Sequence, residues 1–357
     1  MNKKNDMKIL KFPSNIVQLE KQVEAILFAA EEPLDIESIQ EKLMGIERGG
    51  NSEYEEYKPS FEEKTAKWEE TLQSLLAEDP SLLKLSGKYI ANDDVTIICN
   101  YHGLEKVRIL DLADNQISDD ALPVLFESEN LAQIEELYLG INFLTGQGLT
   151  DVARSNQIKM KNLKTLVISD NRLTDSSVAD LMRSENFPNL ESLDIGWNEA
   201  GNETAKAIGE TTSFPGLKKL EMERGYIDLE ALKEMVQGSL MDQLEELDIT
   251  ANKLKDEGVV VLTSAPKWKS LKILKLSQNM FNDEGAKAVG ECAAFAGLTQ
   301  LYAGRNYFGN EGAQAIHESK VLKNLKTLVL KEGVEEDPGL VNYSRPELLR
   351  PDDPNSI

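Results

Sequence analysis

The chain has 357 residues, with 62 Asp+Glu against 39 Lys+Arg and a formal net charge of −23. That length exceeds one ordinary hydrophobic core, so two domains or an elongated array is expected. With apolar residues at 41%, the chain is globular material rather than a disordered polyanion. Acidity of this size disfavours nucleic acid and anionic lipid as partners and favours a basic or neutral one. The acid is not confined to a tail: residues 1–95 hold 20 acidic and 12 basic side chains, and the rest holds 42 and 27.

Cys99 and Cys292 lie 193 positions apart with no CxxC, so neither a disulfide framework nor a metal site is expected. The first residues, MNKKNDMKILKF, carry four lysines but no apolar core of a secretory signal. No run approaches the length needed to span a bilayer, so the expected compartment is the cytoplasm. No cofactor is expected: the chain contains no GxxxxGK[ST], GxGxxG or HExxH motif.

In chain order, residues 15–30 read as a first helix, with Ile16, Leu19, Val23, Ile26 and Leu27 on one face. Residues 36–44 read as a second, 45–60 as a loop, and 64–76 as a third carrying Trp68, Leu72, Leu75 and Leu76. LLKLSGKYIAND (82–93) reads as a hairpin turning at Ser86-Gly87. Three helices and a hairpin follow winged-helix order, so residues 1–95 are expected to form a small α+β domain of that kind. VEAILFAAEEPLDIESIQEKL (23–43) also resembles the opening of the bacterial segregation and condensation protein B family, whose winged-helix domains work through protein contacts. The third helix is dominated by glutamates, which does not suit DNA. The alternative for residues 80–98 is a degenerate repeat acting as the cap that a repeat array needs.

From Val107 onward the motif LxxLxLxxNxL recurs, most clearly as LKTLVISDNRL (163–173), LEELDITANKL (244–254) and LKILKLSQNMF (271–281). The key slot holds Asn115, Asn142, Asn171, Asn198, Gly225, Asn252, Asn279, Asn306 and Gly333, at spacings of 27, 29 and then 27 six times. Alternating leucines before the slot predict a strand with one buried face, and the Asn after it can satisfy backbone groups left unpaired by the turn. Six, seven and ten residues after the slot the pattern is small, apolar, apolar, as in Gly285, Ala286 and Val289, which predicts a closely packed helix.

On these copies the chain resembles the leucine-rich repeat proteins, and NMFNDEGAKAVG (279–290) and NYFGNEGAQAIH (306–317) resemble the helix-containing subfamily of ribonuclease inhibitor and the Ran GTPase-activating protein. The resemblance implies an α/β solenoid, a horseshoe of about nine repeats over residues 96–333, with strands concave, helices convex and residues 334–357 as a tail. Such proteins work mainly by binding other proteins.

Titratable groups do not converge on a catalytic centre. His102 and His317 are about eight repeats apart, and Cys99 and Cys292 read as structural thiols. The strand side of the fourth to sixth slots instead gathers Asp194, Glu221, Glu223, Glu246 and Asp248, flanked by Tyr138, Trp197 and Tyr302, with Arg224 and Arg305 near the rim. The expectation is a non-enzymatic scaffold that docks a protein with a basic surface on this acidic, aromatic face. Because nothing in the fold requires those carboxylates, reversing Glu221 and Asp248 is expected to leave stability unchanged or higher. Two alternatives follow from the resemblance: a GTPase regulator using Arg224 or Arg305 at a partner's phosphates, and a bacterial effector delivered into a host cell.

Overall fold

The computed structural model describes residues 59–331 except Pro266. Contacts divide the chain between Ser60 and Phe61, and the second unit holds the repeats. The helices expected over 15–30 and 36–44, most of the 45–60 loop and the 334–357 tail lie outside the described residues.

The expected third helix is present as α1 (Phe61–Glu78), with Leu72 fully buried. The Trp68 indole N–H donates to Asp94 Oδ1 at 2.9 Å, which ties α1 to the residues that follow. The expected hairpin over 82–93 is absent. Leu82–Lys84 is a strand, β1, that pairs in parallel with β2 (Ile109–Asp111), and Asn92–Cys99 is a helix, α2. The reason lies in register. Leu83, Leu85 and Ile90 fall on the inward positions of a repeat and are fully buried there, while Gly87 (φ +65°) makes the left-handed turn that the repeats of β2 to β9 also make. Residues 82–99 are therefore a degenerate first repeat, with Lys88 in the Asn slot, and the array has ten strands rather than nine.

Those strands form one parallel sheet in chain order. After β2 come β3 (Glu136–Tyr138), β4 (Thr165–Val167), β5 (Ser192–Asp194), β6 (Lys219–Glu221), β7 (Glu246–Asp248), β8 (Ile273–Lys275), β9 (Gln300–Tyr302) and β10 (Thr327–Val329). The outer layer continues with α3 (Ala121–Phe126), α4 (Gly146–Arg154), α5 (Asp175–Arg183), α6 (Asn202–Glu210), α7 (Leu229–Met235) and α8 (Leu240–Gln243). It ends with α9 (Lys255–Ser264), α10 (Asp283–Glu291) and α11 (Asn310–His317). The two extra residues behind the 29-residue spacing lie between Arg154 and Thr165, so they disturb neither strand nor helix. The central leucine of every strand is at most 1% exposed, from Leu83 and Leu110 to Leu301 and Leu328. Burying such side chains contributes roughly 1.5–3 kcal/mol each.

Three ladders couple neighbouring repeats. The first is the Asn slot: Asn198 Nδ2 donates to the carbonyls of Ile168, Ile195 and Gly196, and its Oδ1 accepts from the N–H groups of Asn171 and Leu173. Asn115, Asn142, Asn171, Asn279 and Asn306 repeat the scheme. At Gly225 the slot has no side-chain amide, and the buried Oδ1 of Asn252, which by this scheme would accept from backbone N–H groups at Gly225 and Ile227, has no hydrogen-bond partner.

The second ladder joins helices. Four residues after the slot, a carboxylate or amide accepts from backbone N–H groups at or just before the next repeat's helix. Asp175 accepts from Gly201, Glu203 and Thr204, Asp256 from Asn282 and Gly285, and Asp283 from Gly309 and Gly312. These bonds place negative charge where a helix N-terminus favours it. They also explain the small residue six after the slot: a Cβ on Gly312 would lie 2.5 Å from Asp283 Oδ1. Gly146 and Leu229 interrupt this ladder. α5 after the first interruption is capped by its own Thr174, whereas α9 after the second has no side-chain cap.

The third ladder runs along the edge where the strands begin. Arg108, Glu135, Lys164, Glu191, Lys218, Glu245 and Lys272 alternate in sign, with Lys164–Glu135 at 2.6 Å, Lys218–Glu191 at 2.9 Å and a Lys272–Glu245 pair. These pairs are half-exposed and worth little individually.

Candidate functional site

Three outward positions per repeat form the strand wall, and parallel pairing sets them side by side. Asp194, Glu221, Asp248 and Lys275 are successive register partners, as are Lys219 and Glu246. The five expected carboxylates are thus brought together, but not as a bare acidic patch. Lys275 Nζ lies 3.4 Å from Glu221 Oε1, 3.4 Å from Glu246 Oε1 and 3.3 Å from Asp248 Oδ2. Lys219 Nζ lies 2.9 Å from Glu221 and 3.7 Å from Glu246. Burial alone would lower the Lys275 pKa, but the three carboxylates outweigh it and hold it above the ordinary lysine value. The expectation that nothing in the fold requires these acids is therefore revised for Glu221, Glu246 and Asp248, which hold two cations.

Asp194 and Glu223 differ. Asp194 accepts from the Gly196 N–H at 2.9 Å and the Ser169 hydroxyl at 2.7 Å. Burial nevertheless raises its pKa, with Glu221 adding repulsion. Burial also raises Glu223, with Asp248 and Asp194 adding to it against the Trp197 indole and Arg224. Burial outweighs the lowering effect of Lys219 on Asp194 and of Arg224 on Glu223, so a further cation placed beside them from outside would be favoured.

The flanking residues divide. Tyr302 is 4% exposed and donates to Gln300 Oε1, so it belongs to the wall's packing rather than to its free surface. Tyr138 donates to Glu136 Oε2 at 2.7 Å, and burial together with that carboxylate pushes its pKa to about 12. Trp197 is 43% exposed, with the Arg224 guanidinium carbon 3.4 Å from its ring centroid and Glu223 beside that arginine at 4.0 Å. Arg224 thus sits over an indole ring with a carboxylate beside it. Arg305 is exposed at the equivalent edge position three repeats on.

Elsewhere, His102 is exposed and His317 ends α11. Cys99 is buried and its pKa is pushed to about 12, and the Cys292 thiol donates to the Thr263 carbonyl. Among the described residues no group of His, Cys, Asp and Glu could hold a metal ion, and no helix is long and apolar enough to cross a membrane.

Sequence reasoning missed two things. Lys219 sits at the first outward position of its strand, and its meeting with Glu246 shows only when adjacent repeats are aligned. The second is the edge where the strands end. Exposed Tyr89, Ile141, Phe143, Tyr226 and Tyr307 all lie immediately before or after the Asn slot, a signal present in the register but hidden by the variety of residue types.

Comparison with known proteins agrees with the repeat reading. A family model described as "Leucine Rich repeat" matches residues 103–122, 159–182, 244–262 and 269–290. No curated protein sequence matches the chain. Among solved structures, a leucine-rich repeat protein of Leptospira interrogans is 23% identical, covering 70% of this chain and 54% of that one, with a TM-score of 0.42. The TLR13–ssRNA13 complex is 19% identical, covering 64% of this chain and 40% of that one, with a TM-score of 0.34. The chain thus spans only about half the length of the structures it resembles.

Proposed function

We propose that this leucine-rich repeat solenoid is a non-enzymatic interaction scaffold, and that a protein with a basic surface docks on its strand wall around Asp194 and Glu223. The observation that carries the reading is the division of labour within the wall. Glu221, Glu246 and Asp248 are paired with Lys219 and Lys275, while burial keeps the pKa values of Asp194 and Glu223 raised despite Lys219 and Arg224 nearby. A lysine or arginine from a partner would relieve that strain, and the half-exposed Trp197 beside them supplies an aromatic anchor. The subfamily likeness to ribonuclease inhibitor and to the Ran GTPase-activating protein, and the cytoplasmic setting, belong to this reading as background to it.

The test is quantitative affinity capture from source cells by the full chain and by an Asp194→Lys/Glu223→Lys variant of unchanged thermal stability. The wild type should retain basic proteins that the variant loses. Equal retention by both would remove the wall from the mechanism.

A further inference from the structure

The edge where the strands end carries a different surface from the wall. In every described repeat from β2 to β9 the residue before the slot is left-handed, with φ between +50° and +58°. Glycine, asparagine and aspartate adopt this conformation most readily, and Asp114 and Asp170 fit that preference. Ile141, Trp197 and Arg224 do not, and for a β-branched or bulky residue left-handed backbone is strained. Burial does not explain them, because Ile141 is 52% exposed and Trp197 43%.

The residue after the slot adds to the row. Phe143, Tyr226 and Tyr307 are 39%, 66% and 63% exposed. Six of the nine large apolar side chains exposed among the described residues lie at these two register positions. Cations interleave with them: Arg172 lies 5.2 Å from the Phe143 ring centroid and Lys253 5.0 Å from that of Tyr226, beside the Arg224–Trp197 stack. Over the slot and its two neighbours in the nine described repeats, five cations face three carboxylates, a net of +2. On a chain of net charge −23 this is a local reversal of sign.

We infer that this edge is a second docking strip, and that its occupant is an extended acidic peptide segment of the partner carrying apolar or aromatic side chains. Alternating rings and cations suit carboxylates set between apolar anchors, and strand spacing repeats an anchor position about every 4.8 Å. The inference rests on the reading that the strand side of the array docks a protein, and adds that the partner is bipolar, basic towards the wall and acidic towards the edge.

The full chain would be titrated with fluorescein-labelled peptides carrying Phe and Glu on a Gly-Ser spacer, with their Phe and Lys counterparts, and with single-stranded oligothymidylate. Binding is read by anisotropy and by protection of Trp197 from acrylamide quenching. The Glu peptide should bind, and an Arg172→Ala/Lys253→Ala variant should weaken it about tenfold. Asp194→Asn/Glu223→Gln should leave it unchanged or tighter while weakening the Lys peptide, so that failure of the edge and failure of the wall are separable. Ile141→Asn should raise the unfolding midpoint while lowering affinity for the Glu peptide, a split that a structural role would not produce. No binding of the Glu peptide, or insensitivity to the edge variant, overturns the proposal. So does preference for oligothymidylate, which would make the edge a nucleic-acid surface. Self-association of the free chain that Arg172→Ala/Lys253→Ala abolishes would make a second copy the occupant and likewise overturn it.

Discussion

The strand wall and the edge beside it are built by the same repeat from residues only a few positions apart, yet they handle charge in opposite ways. Over the outward positions of β1 to β9 the wall carries seven carboxylates and three lysines, a net of −4. Its centre is tied internally, with Lys219 and Lys275 each shared between carboxylates on adjacent strands. The edge carries a small positive excess, and three of its five cations lie against exposed rings, Arg224 with Glu223 also beside it. Charge density alone is therefore a poor guide to a docking surface. The densest cluster here is substantially self-satisfied, and the more informative residues are those whose cost the fold does not recover.

The most severe way to break the contrast is to remove the wall's central cation. Lys275→Ala leaves three largely buried carboxylates without it and should cost about 3 kcal/mol in denaturant unfolding. A loss below about 1 kcal/mol would make the cluster a solvated face. The sign with pH is fixed: because the folded pKa of Lys275 is raised, its contribution is complete below the ordinary lysine value of about 10.4 and declines above it. Gly225→Ala tests the edge. The added Cβ would lie 2.6 Å from Asn252 Oδ1 and 2.8 Å from the Ala200 carbonyl, so stability should fall by about 2 kcal/mol.

The smallest effect sharpens the comparison within the wall. Raised carboxylate pKa values mean that Asp194 and Glu223 oppose folding at neutral pH, and the opposition fades as pH falls through those values towards about 4. The helix-capping Asp175 and Asp256 act in reverse: their pKa values are lowered, and their contribution is lost as pH falls through the folded values. Asp194→Asn/Glu223→Gln should therefore reduce any gain in stability between pH 7 and pH 5, by less than about 1 kcal/mol given the partial exposure of Glu223. A gain that survives the double substitution would assign it to other groups.

The repeat was legible because its strand leucines and Asn slots recur at fixed spacing and each buries a side chain or satisfies a backbone turn. The first repeat was hidden because Lys88 replaces the Asn, and because Ser86-Gly87 signals a tight turn without saying whether the chain returns antiparallel or continues into a helix. The wall's carboxylates were legible as a set, but not their neutralisation, which depends on side-chain reach across strands. At the edge the decisive property is a left-handed backbone, and Ile141, Trp197 and Arg224 are residue types that give no hint of it.

One joint in the array stands apart from the rest. Between β6 and β7 the Oδ1 of Asn252 accepts no hydrogen bond, and the helix-cap ladder lacks its acceptor at Leu229. This is also the joint that the wall cluster spans, since Lys275 reaches back over β7 to Glu221 on β6. Elsewhere from β1 to β9 at least one of these two ladders is intact between neighbouring repeats. Here part of that coupling passes to ionised side chains. Raised ionic strength should therefore weaken this seam more than its neighbours, so that the first amides to lose protection in salt should lie along β6 and β7 rather than at the ends of the array.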